Sequence, residues 1–164
     1  MKILGIDPGY AIVGYGVVEH SEGRFTPIDC GVLTTPQDML FPKRLKSLYD
    51  MLTLLIKEKR PDVLAIETLF FNTNVTTAIQ VGHARGVLIL AAENAGIPVF
   101  EYTPLQIKQA ITGYGRADKM QMQQMVKMLL GLAAIPKPDD AADALAVAVC
   151  HGQSYKLNDK LGAL

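Results

Sequence analysis

The sequence predicts an α/β domain: a five-stranded mixed sheet of order 3-2-1-4-5, flanked by helices. Three observations carry this. Residues 2–34 read as three strands joined by short turns, an antiparallel meander. The apolar residues then change from a strand period to a helix period. Beyond that change, helical stretches alternate with short apolar runs, and right-handed crossovers place strand four beside strand one and strand five beyond it.

The elements follow in order. Residues 2–7 are an apolar run ending in Asp7, and Pro8-Gly9-Tyr10 supplies a turn. Residues 11–19 form the second strand, Glu22-Gly23 punctuates, and residues 24–34 alternate as the third. Phe41, Leu45, Leu48, Leu52 and Leu55 recur at three- and four-residue steps, one face of a helix that Arg60-Pro61-Asp62 stops. Val63-Leu64-Ala65-Ile66-Glu67 is a short buried strand, again closed by an acid. Residues 75–95 form a long helix poor in charge, ended by Gly96-Ile97-Pro98, and residues 99–102 are the fifth strand. Pro104 starts a short helix to Ile111. Gly113-Tyr114-Gly115 is a loop, and Met122, Met125, Val126, Leu129 and Leu130 mark the inner face of the next helix. Pro136 and Pro138 interrupt the chain before a final helix from Asp139 to His151. The domain is expected over residues 1–153, with residues 154–164 a flexible tail.

Length and composition suit one folded domain, because 164 residues at 49% hydrophobic can bury a core. Sixteen basic residues balance sixteen acidic ones, a mild argument against a nucleic-acid binder unless the charge is segregated. It is segregated. From Thr103 to Pro138, Lys108, Arg116, Lys119, Lys127 and Lys137 face Asp118 alone. A local basic stretch of this kind suits contact with a phosphate backbone. For Lys127 and Lys137 a solvated helix face is the better reading, and Asp118 reads as a helix cap. Cys30 and Cys150 have no metal-ligand spacing and read as buried, inert thiols of a reducing compartment. With no signal-peptide pattern and no apolar run long enough to span a bilayer, a cytoplasmic protein without membrane association is expected.

The acids point to chemistry. Strands one and four both end in one, Gly5-Ile6-Asp7 and Ala65-Ile66-Glu67. A single strand ending this way usually begins a solvated loop. Two parallel neighbours doing so put two carboxylates at one sheet edge, where open α/β sheets bind ligands and where unneutralised acids repel. The final helix adds Asp140 and Asp143, three residues apart and so on one face. The helix dipole accounts for Asp139 and could account for Asp140, but poorly for Asp143, an acid among small apolar residues. Four such acids would hold Mg²⁺, or Mn²⁺ in its place. Two ions about 4 Å apart clamp the attacking and leaving oxygens of phosphodiester hydrolysis. The scattered His20, His83 and His151 read as structural or surface residues.

These residues resemble the RuvC family of Holliday junction resolvases, within the ribonuclease H-like nucleases. The matching stretches are Gly5-Ile6-Asp7-Pro8-Gly9, Gly14-Tyr15-Gly16, Ala65-Ile66-Glu67 with Phe70, and Ala84-Arg85-Gly86-Val87. They continue with Pro98 to Tyr102, Gly113 to Lys119, and Asp140-Ala141-Ala142-Asp143-Ala144-Leu145. The resemblance implies a ribonuclease H-like fold and a homodimer that cuts two opposed strands of a four-way DNA junction, leaving 5′-phosphates, in recombination and repair. It implies two Mg²⁺ per site, all four carboxylates in catalysis, and Asp140 rather than Asp139 as the helix's first ligand. Phe70 matches a base-stacking aromatic, with Phe71 beside it as an alternative. Lys108 and Lys119 match basic residues near the cleaved phosphate, and Arg116 lies in the same basic stretch. RuvA and RuvB are partners by resemblance alone. Gly82 and Gly86, four apart, permit close approach to the sheet or to another helix; the sheet is the simpler reading, while the resemblance puts this helix in a dimer interface.

Other readings compete. A ribonuclease H-like nuclease of the YqgF type, acting on RNA, would share the first Asp-Pro-Gly motif. An actin-like ATPase would need two such domains, and a junction-binding module without activity would not need the full acidic set.

Overall fold

The computed structural model describes residues 1–69 and 75–161, with backbone alone for 75, 76 and 156–161. The meander is β1 (Lys2–Asp7), β2 (Ile12–Ser21) and β3 (Arg24–Thr34). It is followed by α1 (Phe41–Lys59), β4 (Val63–Glu67), α2 (Val75–Asn94) and β5 (Val99–Tyr102). The last third is helical: α3 (Pro104–Thr112), α4 (Lys119–Leu129) and α5 (Asp139–Leu161). The sheet order is β3-β2-β1-β4-β5. The meander pairs are antiparallel, and β1–β4 and β4–β5 are parallel, as crossovers through α1 and α2 require.

Strand alternation sorts the side chains onto two faces. Leu4, Ile6, Leu64 and Ile66 pack with Leu48, Leu52, Ala84 and Leu88 of α1 and α2. Ile3, Val63 and Ala65 pack on the other face with α3, α4 and the buried side of α5. Asp7 and Glu67 continue the second series, so both acids belong to the α5 face.

Glycines let α5 lie unusually close to that face. A Cβ on Gly5 would collide with the backbone of Ala144 and Ala148, and one on Gly14 with the carbonyl of Asp140. Helix ends are capped where the chain turns toward the sheet edge. Thr103 and Gln106 form a capping box on α3, and Asp118 and Gln121 form one on α4, so Asp118 is a cap as expected.

Several details depart from the sequence reading. Helix α5 runs to Leu161 rather than stopping at His151, so residues 154–161 are helical instead of a loose tail. Residues 153–161 contain no Gly or Pro, and a helix already nucleated extends at the gain of one bond per residue. Cys150 is buried, but Cys30 is only half-buried. Gly82 and Gly86 do not face the sheet, because a Cβ at either would meet nothing within 4 Å. Of the residues expected on the inner face of α4, Met122 and Val126 are buried but Met125 and Leu129 are only half-buried. No described helix is long and apolar enough to cross a membrane.

Candidate active site

β1 and β4 run side by side with Ile6 opposite Ile66, so Asp7 and Glu67 leave the sheet at the same edge. Across β2, Asp7 pairs with Gly14. Because Gly14 has no side chain, the start of α5 seats its Asp140 backbone directly there. Asp143 follows one turn along. Three elements thus bring four acids to one point.

The electrostatics show how closely the acids feel one another. Burial pushes Asp7 up to about 8, with Glu67, Asp143 and Asp140 adding to the rise and Lys119 opposing it. Burial likewise pushes Glu67 up to about 7, with Asp143 adding and Lys108 opposing. Asp143 is also raised, first by burial, against the pull of Lys119. It is less enclosed than its apolar neighbours in the sequence suggest: its side chain is 37% exposed and opens into the cleft. The helix is buried around it, but this residue is on the side that faces the site.

Asp139 stands apart from this group. Its carboxylate receives Lys137 at 2.8 Å and Lys119 at 3.1 Å. Hydrogen bonds from Lys137 and then Lys119 lower it to about 2. It does not figure among the charges that raise Asp7, whereas Asp140 and Asp143 do. The geometry therefore separates two adjacent acids that helix periodicity alone leaves equivalent.

A cavity of about 220 Å³ opens beside the acids. Glu67, Asp143, Lys108 and Lys119 supply its charge, and Pro104, Ile107, Met122 and Ala146 its walls. Lys119 stands at the start of α4, with its Nζ 3.8 Å from Asp143. Arg116 is exposed on the preceding loop and does not line the cavity. Phe70 and Phe71 lie outside the described residues. A larger cavity of about 710 Å³, lined by His20, Arg24, Phe25 and Met128, has no acid in its wall and lies at the opposite end of the sheet. Size alone does not mark the site.

The donor set is anionic and all oxygen, which fits hard divalent cations such as Mg²⁺ or Mn²⁺. Among the described residues no three His, Cys, Asp or Glu side chains already form a closed cage. The histidines are not candidates for this group. His151 is buried and hydrogen-bonded to Tyr102 at 2.8 Å, and His20 stacks on Phe25.

Residues 3–151 match the family described as crossover junction endodeoxyribonuclease RuvC. The chain belongs to the RuvC family. A RuvC of Ruminiclostridium cellulolyticum is 57% identical over 162 residues, covering 99% of this chain and 98% of that one. The structure of Thermus thermophilus RuvC superposes with a TM-score of 0.88 at 34% identity, covering 96% of this chain and 97% of that one. A T. thermophilus RuvC in complex with Holliday junction substrate gives a TM-score of 0.87 at 32% identity, covering 96% of each chain. The resemblance read from the motifs, the sheet order and the RuvC-type endodeoxyribonuclease assignment all hold.

Two features of this RuvC-family site escape a linear reading. Gly14 stands out in the sequence only as part of a motif, yet it sets the approach of Asp140. Arg85 is the only Lys or Arg of α2, and its Nε donates to the backbone carbonyl of Glu67 at 3.1 Å. A lone cation in a charge-poor helix was the available signal.

Proposed function

We propose that this chain resolves four-way DNA junctions, with Asp7, Glu67, Asp140 and Asp143 as its catalytic carboxylates. The observation that carries the proposal is the convergence of these acids, two of them raised to about 7 and 8, at one sheet edge of a RuvC-family fold. Acids forced together in a half-buried cleft are poised for cations and costly without them. The four would hold two Mg²⁺, with Mn²⁺ a substitute. When bound, such ions activate water and stabilise the leaving oxygen of a phosphodiester.

The protein's own residues do the rest. Lys108 and Lys119 reach the cavity from α3 and α4 and orient the scissile phosphate over the acids. Arg116, exposed nearby, contacts the strand further along. Phe70, with Phe71 as the alternative, stacks on a junction base. The walls formed by Ile107, Met122 and Ala146 limit how much bulk water surrounds the reacting phosphate. Hydrolysis leaves a 5′-phosphate.

Cutting two opposed strands symmetrically calls for two sites related by a twofold axis. Helix α2 supports a homodimer. Ile79 and Leu90 are exposed along it, and Gly82 and Gly86 between them leave open space into which a second helix could settle. RuvA and RuvB are proposed partners on family grounds.

The test is Mg²⁺-dependent cleavage of a synthetic immobile four-way DNA junction, beside plain duplex and structured RNA. Paired symmetric nicks in the junction alone support the proposal. Cleavage of RNA in preference to the junction would move the chain to the RNA-directed alternative.

A further inference from the structure

We infer that Arg85 is the positioning residue that holds Glu67 at the sheet edge, acting from the opposite face of the sheet. The inference rests on the reading of Glu67 as a cation ligand. Arg85 Nε donates to the Glu67 carbonyl at 3.1 Å, and a terminal nitrogen of the same guanidinium donates to the Glu101 carboxylate. Its side chain is 17% exposed against 51% for Glu101, so this is no loose surface pair.

The location explains the need. At the end of β4 the sheet runs short of donors. β1 continues into Pro8 and β5 leads to Pro104, and proline has no N–H. The N–H of Thr103, between β5 and Pro104, is taken by the Gln106 side chain at 2.8 Å. The Thr68 N–H still reaches the Tyr102 carbonyl at 2.8 Å. The carbonyl of Glu67 itself receives its donor from Arg85.

The fork of one guanidinium thus ties the last residue of β4 to β5 and to α2. Fixing the Glu67 peptide fixes the direction in which its side chain leaves the backbone. The carboxylate emerges on the α5 face, among acids that repel it. Without a clamp on the backbone, the end of β4 can relax and let the carboxylate swing away. A cation would then have to recover that displacement at the expense of its own binding.

Titration of Mn²⁺ into the DNA-free protein, followed by the EPR signal of free Mn²⁺, separates this role from plain structural support. Arg85→Met keeps the apolar stem and removes the donors. It should weaken Mn²⁺ binding by about 10- to 100-fold, the scale on which groups that orient ligands act. Junction binding in EDTA should stay at the wild-type level, and high Mg²⁺ should restore part of the cleavage. Arg85→Lys, which can keep one donor on the carbonyl, should fall between. Glu101→Gln, which leaves Arg85 on Glu67, should stay near wild type.

If Arg85→Met binds Mn²⁺ as wild type does and only its thermal midpoint falls, Arg85 merely tacks α2 to β5 and the inference is overturned. It is overturned equally if Glu101→Gln matches Arg85→Met. Should Arg85→Met not fold, Arg85→Lys decides alone: weakened Mn²⁺ binding supports the role, and wild-type binding sinks it. A wild-type protein that binds no Mn²⁺ would overturn the metal reading and this inference together, an outcome distinct from the others.

Discussion

The Nζ of Lys119 lies 3.8 Å from the carboxylate of Asp143, which brings a cation from the start of α4 to the edge of the acidic cleft. It also bonds Asp139, and with 59% of its side chain exposed it is free to exchange partners. An incoming phosphate would compete for it. Lys119→Ala should then lower junction affinity and reduce the slope of log affinity against log salt by about 1. Filter binding over a salt series measures this. An unchanged slope would mean that Lys119 stays with the acids rather than the DNA.

Asp7→Asn should separate stability from activity. Asp7 is the most strongly raised of the described acids, so a neutral amide in its place removes the cost of burying a carboxyl group among other acids when no cation is present. The metal-free variant should gain about 1 kcal/mol, in the range found when a strained functional group is relaxed. Its cleavage rate should fall by at least about 10³, as when a reacting group is removed. Thermal unfolding and single-turnover cleavage check the two halves, and cleavage at the native rate would end the carboxylate assignment.

Asp139 and Asp140 should behave differently despite being adjacent. Asp139 is held by Lys137 and Lys119, while Asp140 is among the charges that raise Asp7. Asp139→Asn should keep cleavage within about an order of magnitude, as expected for an ion pair at the surface. Asp140→Asn should abolish it. Equal loss in both variants would count against Asp140 as the helix's first ligand.

The pH dependence has a definite sign. Asp7 and Glu67, at about 8 and 7 in the folded chain against ordinary values of 3.8 and 4.5, bind protons more tightly when folded. Their contribution is fully present below about pH 4 and is lost as pH rises through 7 and 8. His151 acts the other way. Burial, with His20 adding, lowers it to about 4, so its contribution falls as pH drops from 6.5 toward 4. Metal-free protein should therefore lose stability as pH rises from about 4 to about 8, with His151 offsetting part of the loss below 6.5, and saturating Mg²⁺ should flatten that loss. Thermal midpoints in EDTA and in Mg²⁺ that track each other across this window would contradict a cation site on these acids.

Phe70→Ala should weaken junction cleavage by the equivalent of about 1–3 kcal/mol, the worth of one base stacked on an aromatic ring. Phe71→Ala serves as its comparison. Loss in the second variant alone would move the base contact one residue along the chain.

The strand and helix order was legible because its signals are local. Alternation, helix spacing and turn residues such as Pro8-Gly9 and Gly96-Ile97-Pro98 each act over a few neighbours. The acids of β1 and β4 were legible for the same reason, since parallel pairing and a two-residue alternation carry Asp7 and Glu67 to one edge. The end of α5 was misjudged where the apolar pattern weakens after His151, although the chain there contains nothing that breaks a helix.

By itself, then, the sequence determined the fold class, the sheet order and the acids available for chemistry. The tertiary structure decided which acids act on one another. Asp140 joins Asp7 because a glycine on β2 lets α5 settle against the strand, and Asp139 is drawn off by Lys119 of α4 together with its near neighbour Lys137. It also turned Gly82 and Gly86 away from the sheet and brought Arg85 under Glu67. The physical reason is range. Backbone periodicity is set within a turn or two of the chain, whereas burial, repulsion and hydrogen bonding between distant residues exist only once the layers have packed.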